Sequence, residues 1–316
     1  MPVRRALGQS PVQKGVWGIP TYDMKKVLKI VEEVVDKAWL LMCLILLAFG
    51  VYSVVDTVEI YGKAMDNSVL KYKPDTGDEE ENVYKDLGED YKGWITIDNT
   101  TIDYPVMQGK TNDEYLNKDP YGQFSLSGSI FLDSRNSADF KDSYNIVYGH
   151  HMQKTITAKS VMFGAIDDFY DKEYFKEHRT GLLTVGDRKY EVKTFAIAEA
   201  DASSDIFNTE TSYDYVNQWL STNAIYYDVP NGNKIMALST CKNYRNGERT
   251  ILFVTYNVDE NTDAPAISDD IKENDVTRLN NPNVPTSVST PVVCGCVGLL
   301  AIIVCVAMIG GKKSKK

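Results

Sequence analysis

Two stretches without a charged residue stand near the two ends of the chain, and they constrain everything between them. Residues 38–55, "AWLLMCLILLAFGVYSVV", run 18 residues without charge, and residues 292–311, "VVCGCVGLLAIIVCVAMIGG", run 20. A helix of roughly 20 apolar residues crosses a hydrocarbon layer of about 30 Å, so both read as transmembrane helices. The first reads as an anchor rather than a cleaved signal peptide, since it begins late and lacks a small-residue cleavage site. Arg4, Arg5, Lys14, Lys25, Lys26, Lys29 and Lys37 precede it, and Lys312, Lys313, Lys315 and Lys316 follow the second. Basic flanks stay on the cytoplasmic side, so both termini are expected in the cytoplasm and the intervening domain outside.

That intervening domain is acidic. Residues 56–291 hold 23 basic against 40 acidic side chains, a net charge of −17. Phosphate backbones would repel it, which excludes nucleic acid as the expected partner. Of five cysteines, Cys43, Cys294, Cys296 and Cys305 fall in the apolar spans, where cysteine acts as a small hydrophobe. Cys241 alone lies outside them. An unpaired cysteine in an extracytoplasmic domain points to a reactive thiol, an intermolecular bridge or a buried inert side chain.

The spacing of Val27, Val31, Val34 and Val35 predicts a helix over 22–37 that runs into the first span, with a continuation through 56–71. Residues 71–82, "KYKPDTGDEEEN", read as a linker or exposed loop, with the acidic run solvated rather than holding calcium. Beyond it the pattern is mostly strand-like. "GWITIDNTTIDYPVMQG" predicts a hairpin around Asp98-Asn99, and further short strands fall at 128–133, 144–151, 181–187, 190–200, 234–240 and 249–258. Helical spacing is confined to 163–178 and 212–223. Short strands with regular turn signals predict a mainly β domain, a closed barrel or sandwich with helices added. No internal repeat and no glycine-rich phosphate loop is present in the sequence.

The chemistry-bearing residues cluster at strand ends. The domain has three histidines, His150, His151 and His178, and the first two follow "IVYG". Cys241 follows "ALST", and Arg249 opens the next strand. A thiolate is the attacking form of cysteine, and a nearby imidazole promotes it. A guanidinium offers fixed, permanently charged donors to a developing oxyanion.

These residues carry a resemblance. "LSTC" with an arginine on the following strand, and "YGHHM" far upstream, resemble the sortases, membrane-anchored cysteine transpeptidases of Gram-positive bacteria. "YPVMQGKTNDEYLNKD" (104–119) and "GSIFLDSRN" (128–136) are similar to class B in particular, and the resemblance covers residues 85–258. It implies an eight-stranded sortase barrel with added helices, held between two transmembrane helices. Together with the two apolar spans it gives an expected domain order of cytoplasmic segment 1–37, span 38–55, extracellular helical linker 56–84, catalytic barrel 85–258, linker 259–291, span 292–311 and basic tail 312–316. By the same resemblance Cys241 is the nucleophile, His150 the catalytic histidine and Arg249 the arginine, while Asn112, Leu116 and Ser239 line the substrate groove. His151 is only the neighbour, because adjacent residues of a strand face opposite ways. Arg245, a rival for Arg249, lies in the polar turn "KNYRNGE".

The expected substrates are a surface-protein sorting signal cleaved after threonine and an amine acceptor from a peptidoglycan precursor or a pilin. The thiol supplies the covalent chemistry, so no metal or organic cofactor is expected. Two departures widen this reading. Class B members usually carry only an N-terminal anchor, and a second hydrophobic span resembles the pilin-polymerising class C. The "DPY" at 119–121 lies after the second predicted strand, unlike the class C lid, and reads as a turn. The segment "NVPTSVST" before the second span has no Leu-Pro-x-Thr-Gly or Asn-Pro-x-Thr-Asn pentapeptide, so the span reads as an anchor rather than a sorting signal. The non-enzymatic alternative is a surface or adhesion protein on an inactive sortase-like barrel.

Overall fold

The computed structural model describes residues 23–74, 87–152, 160–241, 247–258, 265–266, 268, 270–276, 297–300 and 303–304, with Asn67 and Cys241 described by backbone alone. The chain divides into two compact units, Met1–Tyr52 with Pro291–Lys316, and Ser53–Thr290.

A single helix, α1 (Met24–Ala64), carries the first apolar span and continues past it. Its large apolar side chains, among them Leu41, Leu44, Ile45 and Val55, are exposed, as they are on a helix whose surroundings are not protein. Among the described residues it is the one helix long and apolar enough to cross a membrane. The helix ends at Ala64, short of the expected 71. Asp66 there accepts the Ser68 N–H at 2.8 Å and caps a 3-10 helix, Asn67–Tyr72. Aspartate at such a position satisfies an orphan donor of the new helix and so favours a restart over continuation. Residues 297–300 and 303–304 are helical, but the rest of the second span, and most of the acidic 71–82 segment, lie outside the described residues.

The second unit is built on strands β1 (Tyr91–Ile97), β2 (Asp103–Met107), β3 (Ile130–Leu132), β4 (Tyr144–Gly149), β5 (His151–Met152), β6 (Val161–Met162), β7 (Thr180–Val185), β8 (Arg188–Asp201), β9 (Ala224–Tyr227), β10 (Lys234–Cys241), β11 (Glu248–Tyr256) and β12 (Lys272–Glu273). Pairing runs β11-β10-β4-β3-β2-β1-β7-β8, and β8 pairs again with β11. That last pairing closes an eight-stranded barrel, which leaves no free edge around the ring. The strands β9 and β12 extend the sheet from β8, and β5 with β6 forms a separate small hairpin. Two joins are parallel, β2 with β3 and β4 with β10.

Alternation along β10 shows how the barrel is filled. Met236 and Leu238 point into a cluster with Ile95, Val106, Leu132, Val147 and Leu252. Ile235 and Ala237 face a second cluster with Tyr144, Ile146, Ile251 and Phe253, to which helix α3 (Tyr213–Asn223) contributes Val216 and Leu220. Each large side chain buried this way stabilises by about 1.5–3 kcal/mol relative to exposure. Ser212 starts α3, its hydroxyl accepting the Tyr215 N–H at 3.2 Å.

The predicted helix over 163–178 is two elements, a 3-10 helix Phe163–Tyr170 and the short α2 (Lys172–Glu177). Extended Asp171 separates them and caps α2 through the Tyr174 N–H at 2.8 Å. The predicted hairpin forms, with Asn99 at φ 59° in the turn between β1 and β2. Strand β9 directly follows α3, where the sequence pattern marks no strand.

Candidate active site

Three neighbouring strands end together at one rim of the barrel. In the β10–β11 register Cys241 stands opposite Arg249, and in the β4–β10 register Thr240 stands opposite Gly149. His150 follows Gly149 as Cys241 follows Thr240. Positions 249, 241 and 150 therefore lie in sequence along the rim of adjacent strands, brought together from three separate parts of the chain. Directly paired antiparallel residues sit about 4.5–5.5 Å apart at Cα and share a face of the sheet. By the same alternation, Ser239 and Tyr148 lie one row further in.

A carbonyl fixes the His150 ring. Its Nε2 lies 2.6 Å from the backbone oxygen of Leu116. A carbonyl oxygen can only accept, so Nε2 carries the hydrogen, and in the neutral ring Nδ1 is the basic nitrogen. Leu116 belongs to the 3-10 helix Glu114–Leu116, and its side chain is exposed. The approach is close enough to require glycine next door. Gly128 has φ +60°, and a Cβ there would come within 2.5 Å of the Leu116 oxygen and 2.9 Å of His150 Cδ2.

His151 faces elsewhere. Its Nε2 donates to Asp167 Oδ2 at 2.8 Å, which ties it to the 3-10 helix Phe163–Tyr170. His178 sits at the C-terminus of α2, stacked on Tyr174 and bonded to that residue's carbonyl oxygen. Arg245 lies outside the described residues.

Behind the rim is a polar hub the sequence did not reveal. The fully buried Asp133, just after β3, accepts from Arg135 Nε at 2.9 Å and Nη2 at 2.7 Å, from Asn112 Nδ2 at 2.9 Å and from the Tyr148 hydroxyl at 3.0 Å. Burial alone would raise this carboxyl, but the Arg135 fork and the remaining donors hold it below its ordinary range. Tyr148 is pushed above the usual phenol range by burial first and by Asp133 next, with Arg135 and Arg249 pulling the other way. Asn112, expected in the groove, donates to Asp133 and accepts the Ser134 N–H at 2.7 Å, so its amide braces the turn leading to Leu116. Ser239 is fully buried, and its hydroxyl has no hydrogen-bond partner among the described residues. The signal for Tyr148 was its strand parity with His150; the Leu116 carbonyl has no sequence signal, since every residue has one. Among the described residues no group of three His, Cys, Asp or Glu is arranged to hold a metal ion.

No protein-family model matches the chain. It is 32% identical to the curated Sortase B of Listeria monocytogenes over 209 residues, covering 62% of this chain and 80% of that protein. The chain belongs to the class B sortases. Sortase B of Staphylococcus aureus is 27% identical over 236 residues, covering 69% of this chain and 91% of the relative. A solved Streptococcus pyogenes class B sortase involved in pilus biogenesis is 33% identical, with a TM-score of 0.49 over 55% of this chain and 97% of that one.

Proposed function

We propose that this class B sortase is a membrane-anchored transpeptidase that cleaves a sorting signal after threonine and transfers the protein to an amine of the cell wall. The observation that carries the reading is the rim register, in which the backbone positions of Cys241, Arg249 and His150 converge while the Leu116 carbonyl sets the imidazole tautomer. The Cys241 thiolate attacks the threonine carbonyl, and Arg249 stabilises the oxyanion that forms. The C–N bond then breaks, with the proton on His150 Nδ1 passing to the leaving amine, and a thioester remains. An incoming amine attacks that thioester and gives its proton to Nδ1, and Cys241 leaves as thiolate. Throughout, Nε2–H stays on the Leu116 oxygen, so only one ring nitrogen exchanges protons.

Helix α1 supplies the anchor, and the acidic barrel stands on the outer face with the N-terminal basic segment inside. Leu116 lines the donor groove with its exposed side chain, and the buried Ser239 supports the groove floor from one row in from Cys241. Asn112 serves by holding the turn of Leu116 in place.

The deciding experiment is mass spectrometry of the full-length chain in detergent after mixing with peptides of the Leu-Pro-x-Thr-Gly and Asn-Pro-x-Thr-Asn patterns. A covalent adduct on Cys241, with the mass of the peptide up to its threonine, is the expected result. No adduct from any peptide would favour an inactive surface protein on a sortase barrel.

Arg249 has its own test. Its charge matters more in the transition state than in the ground state, because the oxyanion exists only after attack. Arg249→Ala should slow acylation by about 10²–10³, the scale for one oxyanion donor, while peptide affinity changes little. Arg249→Lys keeps the charge but loses the planar fork and should remain poor. A variant that weakens binding without slowing acylation would make Arg249 a substrate clamp instead.

A further inference from the structure

The donor peptide is only half of a transpeptidation. The amine that resolves the thioester must arrive where His150 Nδ1 can take its proton, and by a route the donor does not fill. Along the rim the strands succeed one another as β11, β10, β4, β3 and β2, so Arg249, Cys241, His150, the 128–130 segment and Tyr104 come in that order. On the side of His150 away from Cys241 lies a cavity of about 240 Å³. Gly128, which nearly touches the His150 ring, forms part of its wall.

The opposite wall is the end of α1 and the turn that follows, with Ala64, Asp66 and Val69. This wall is held to the barrel by several contacts. Ile60, Tyr61 and Ala64 pack on the interior cluster, Lys73 Nζ meets Asp103 Oδ2 at 2.7 Å, and the Tyr121 hydroxyl meets Ser68 Oγ at 3.0 Å. The Asp-Pro-Tyr segment read from sequence as an incidental turn therefore closes one side of the cavity. Asp119 stabilises it by accepting the N–H of Tyr121 at 3.0 Å and of Gln123 at 2.8 Å. At the base, Met162 holds φ 52° and ψ −138°, a conformation that is costly for a residue with a side chain. Its N–H donates to the Tyr104 hydroxyl at 2.8 Å. Such strain persists only where surrounding structure imposes it, and here it shapes the cavity beside the catalytic ring.

The charge of the lining is suited to a cation. Asp66 and Asp119 are both lining residues, their carboxylates accepting from Ser68 and from the Tyr121 and Gln123 N–H groups, and the one lysine in the lining, Lys63, is paired with Glu59 at 3.1 Å. The volume admits a short, narrow chain rather than a folded partner. We infer that this cavity binds the acceptor, a short chain ending in a primary amine, and delivers it to the thioester past His150. The inference rests on the transpeptidase reading and extends it to the second substrate. An amine enters as ammonium attracted by Asp66 and Asp119, and loses one proton to solvent. It then attacks the thioester carbonyl: the C–N bond forms, the C–S bond breaks, its second proton passes to His150 Nδ1, and Cys241 departs as thiolate.

The test separates the two half-reactions. The full-length chain in detergent is acylated with whichever sorting-pattern peptide gives a Cys241 adduct, and triglycine is the acceptor probe. The ratio of aminolysis to hydrolysis products is measured beside the acylation rate. Asp66→Asn with Asp119→Asn keeps the oxygen that caps each turn and removes both charges. It should lower the ratio roughly three- to tenfold at low salt, the scale for two partly screened charges, with acylation unaffected. Val69→Phe, which fills the cavity, should lower it further. An unchanged ratio in both variants, or acylation falling in parallel with aminolysis, would overturn the assignment. Failure of the parent chain to form any adduct would instead bring down the transpeptidase reading, and this inference with it.

Discussion

Cys241→Ala should abolish transpeptidation, with a loss of at least about 10⁴-fold, the scale for removing the nucleophile of a covalent mechanism. The replacement leaves the backbone free to keep its place opposite Arg249, so circular dichroism and thermal melting should match the parent. The same position has a chemical counterpart. The other four cysteines fall in the apolar spans, so a membrane-impermeant alkylating reagent on intact cells should modify Cys241 alone and stop activity. Labelling of Cys294 or Cys296 from outside would contradict the proposed topology. Activity that survives complete Cys241 labelling would contradict the chemistry.

The neighbouring histidines give the second large effect. His150→Ala should lower turnover by roughly 10²–10⁴, the range for loss of a general acid and base. His151→Ala removes a hydrogen bond to Asp167 and packing at the start of the β5–β6 hairpin. Its cost should appear mainly as stability, about 1 kcal/mol or somewhat more. The comparison is sharpest as turnover and melting temperature measured together. His150→Ala should move the first and spare the second, while His151→Ala should do the reverse. Equal losses of turnover, or a larger one at His151, would show that the wrong ring has been assigned.

The positions of several strands were readable as short apolar runs bounded by turn signals. The runs Ile235–Leu238 and Ile251–Val254 are continuously apolar, and both are strands of the closed ring. The partners of those strands were less readable. Nothing local in "YNIVYG" says that it pairs in parallel with a segment about ninety residues later, yet that join sets His150 beside Cys241. Closure was hidden for the same reason. It depends on β8, whose 14 residues pair with β7 and β9 on one edge and β11 on the other, past an irregularity between Phe253 and Val254. Strand β9 is hard to read from sequence because "AIYY" follows the helical pattern of α3 without a break. Among site residues, identity pointed to the thiol, the imidazole and the guanidinium. It could not point to the Leu116 carbonyl or to the buried hub at Asp133, whose meaning comes from what surrounds them.

The parallel join between β4 and β10 also bears on how the protein matures. Thr240 and Gly149 meet only by closing a loop of about ninety residues, a contact of high sequence separation that costs entropy and slows folding. Until then the thiol and the imidazole ride on strands with no common frame, and neither can activate the other. A chain still folding outside a membrane would thus be chemically quiet, unable to acylate itself on passing peptides. Reactivity needs that join, so the appearance of an acyl adduct during refolding would report when β4 and β10 have paired.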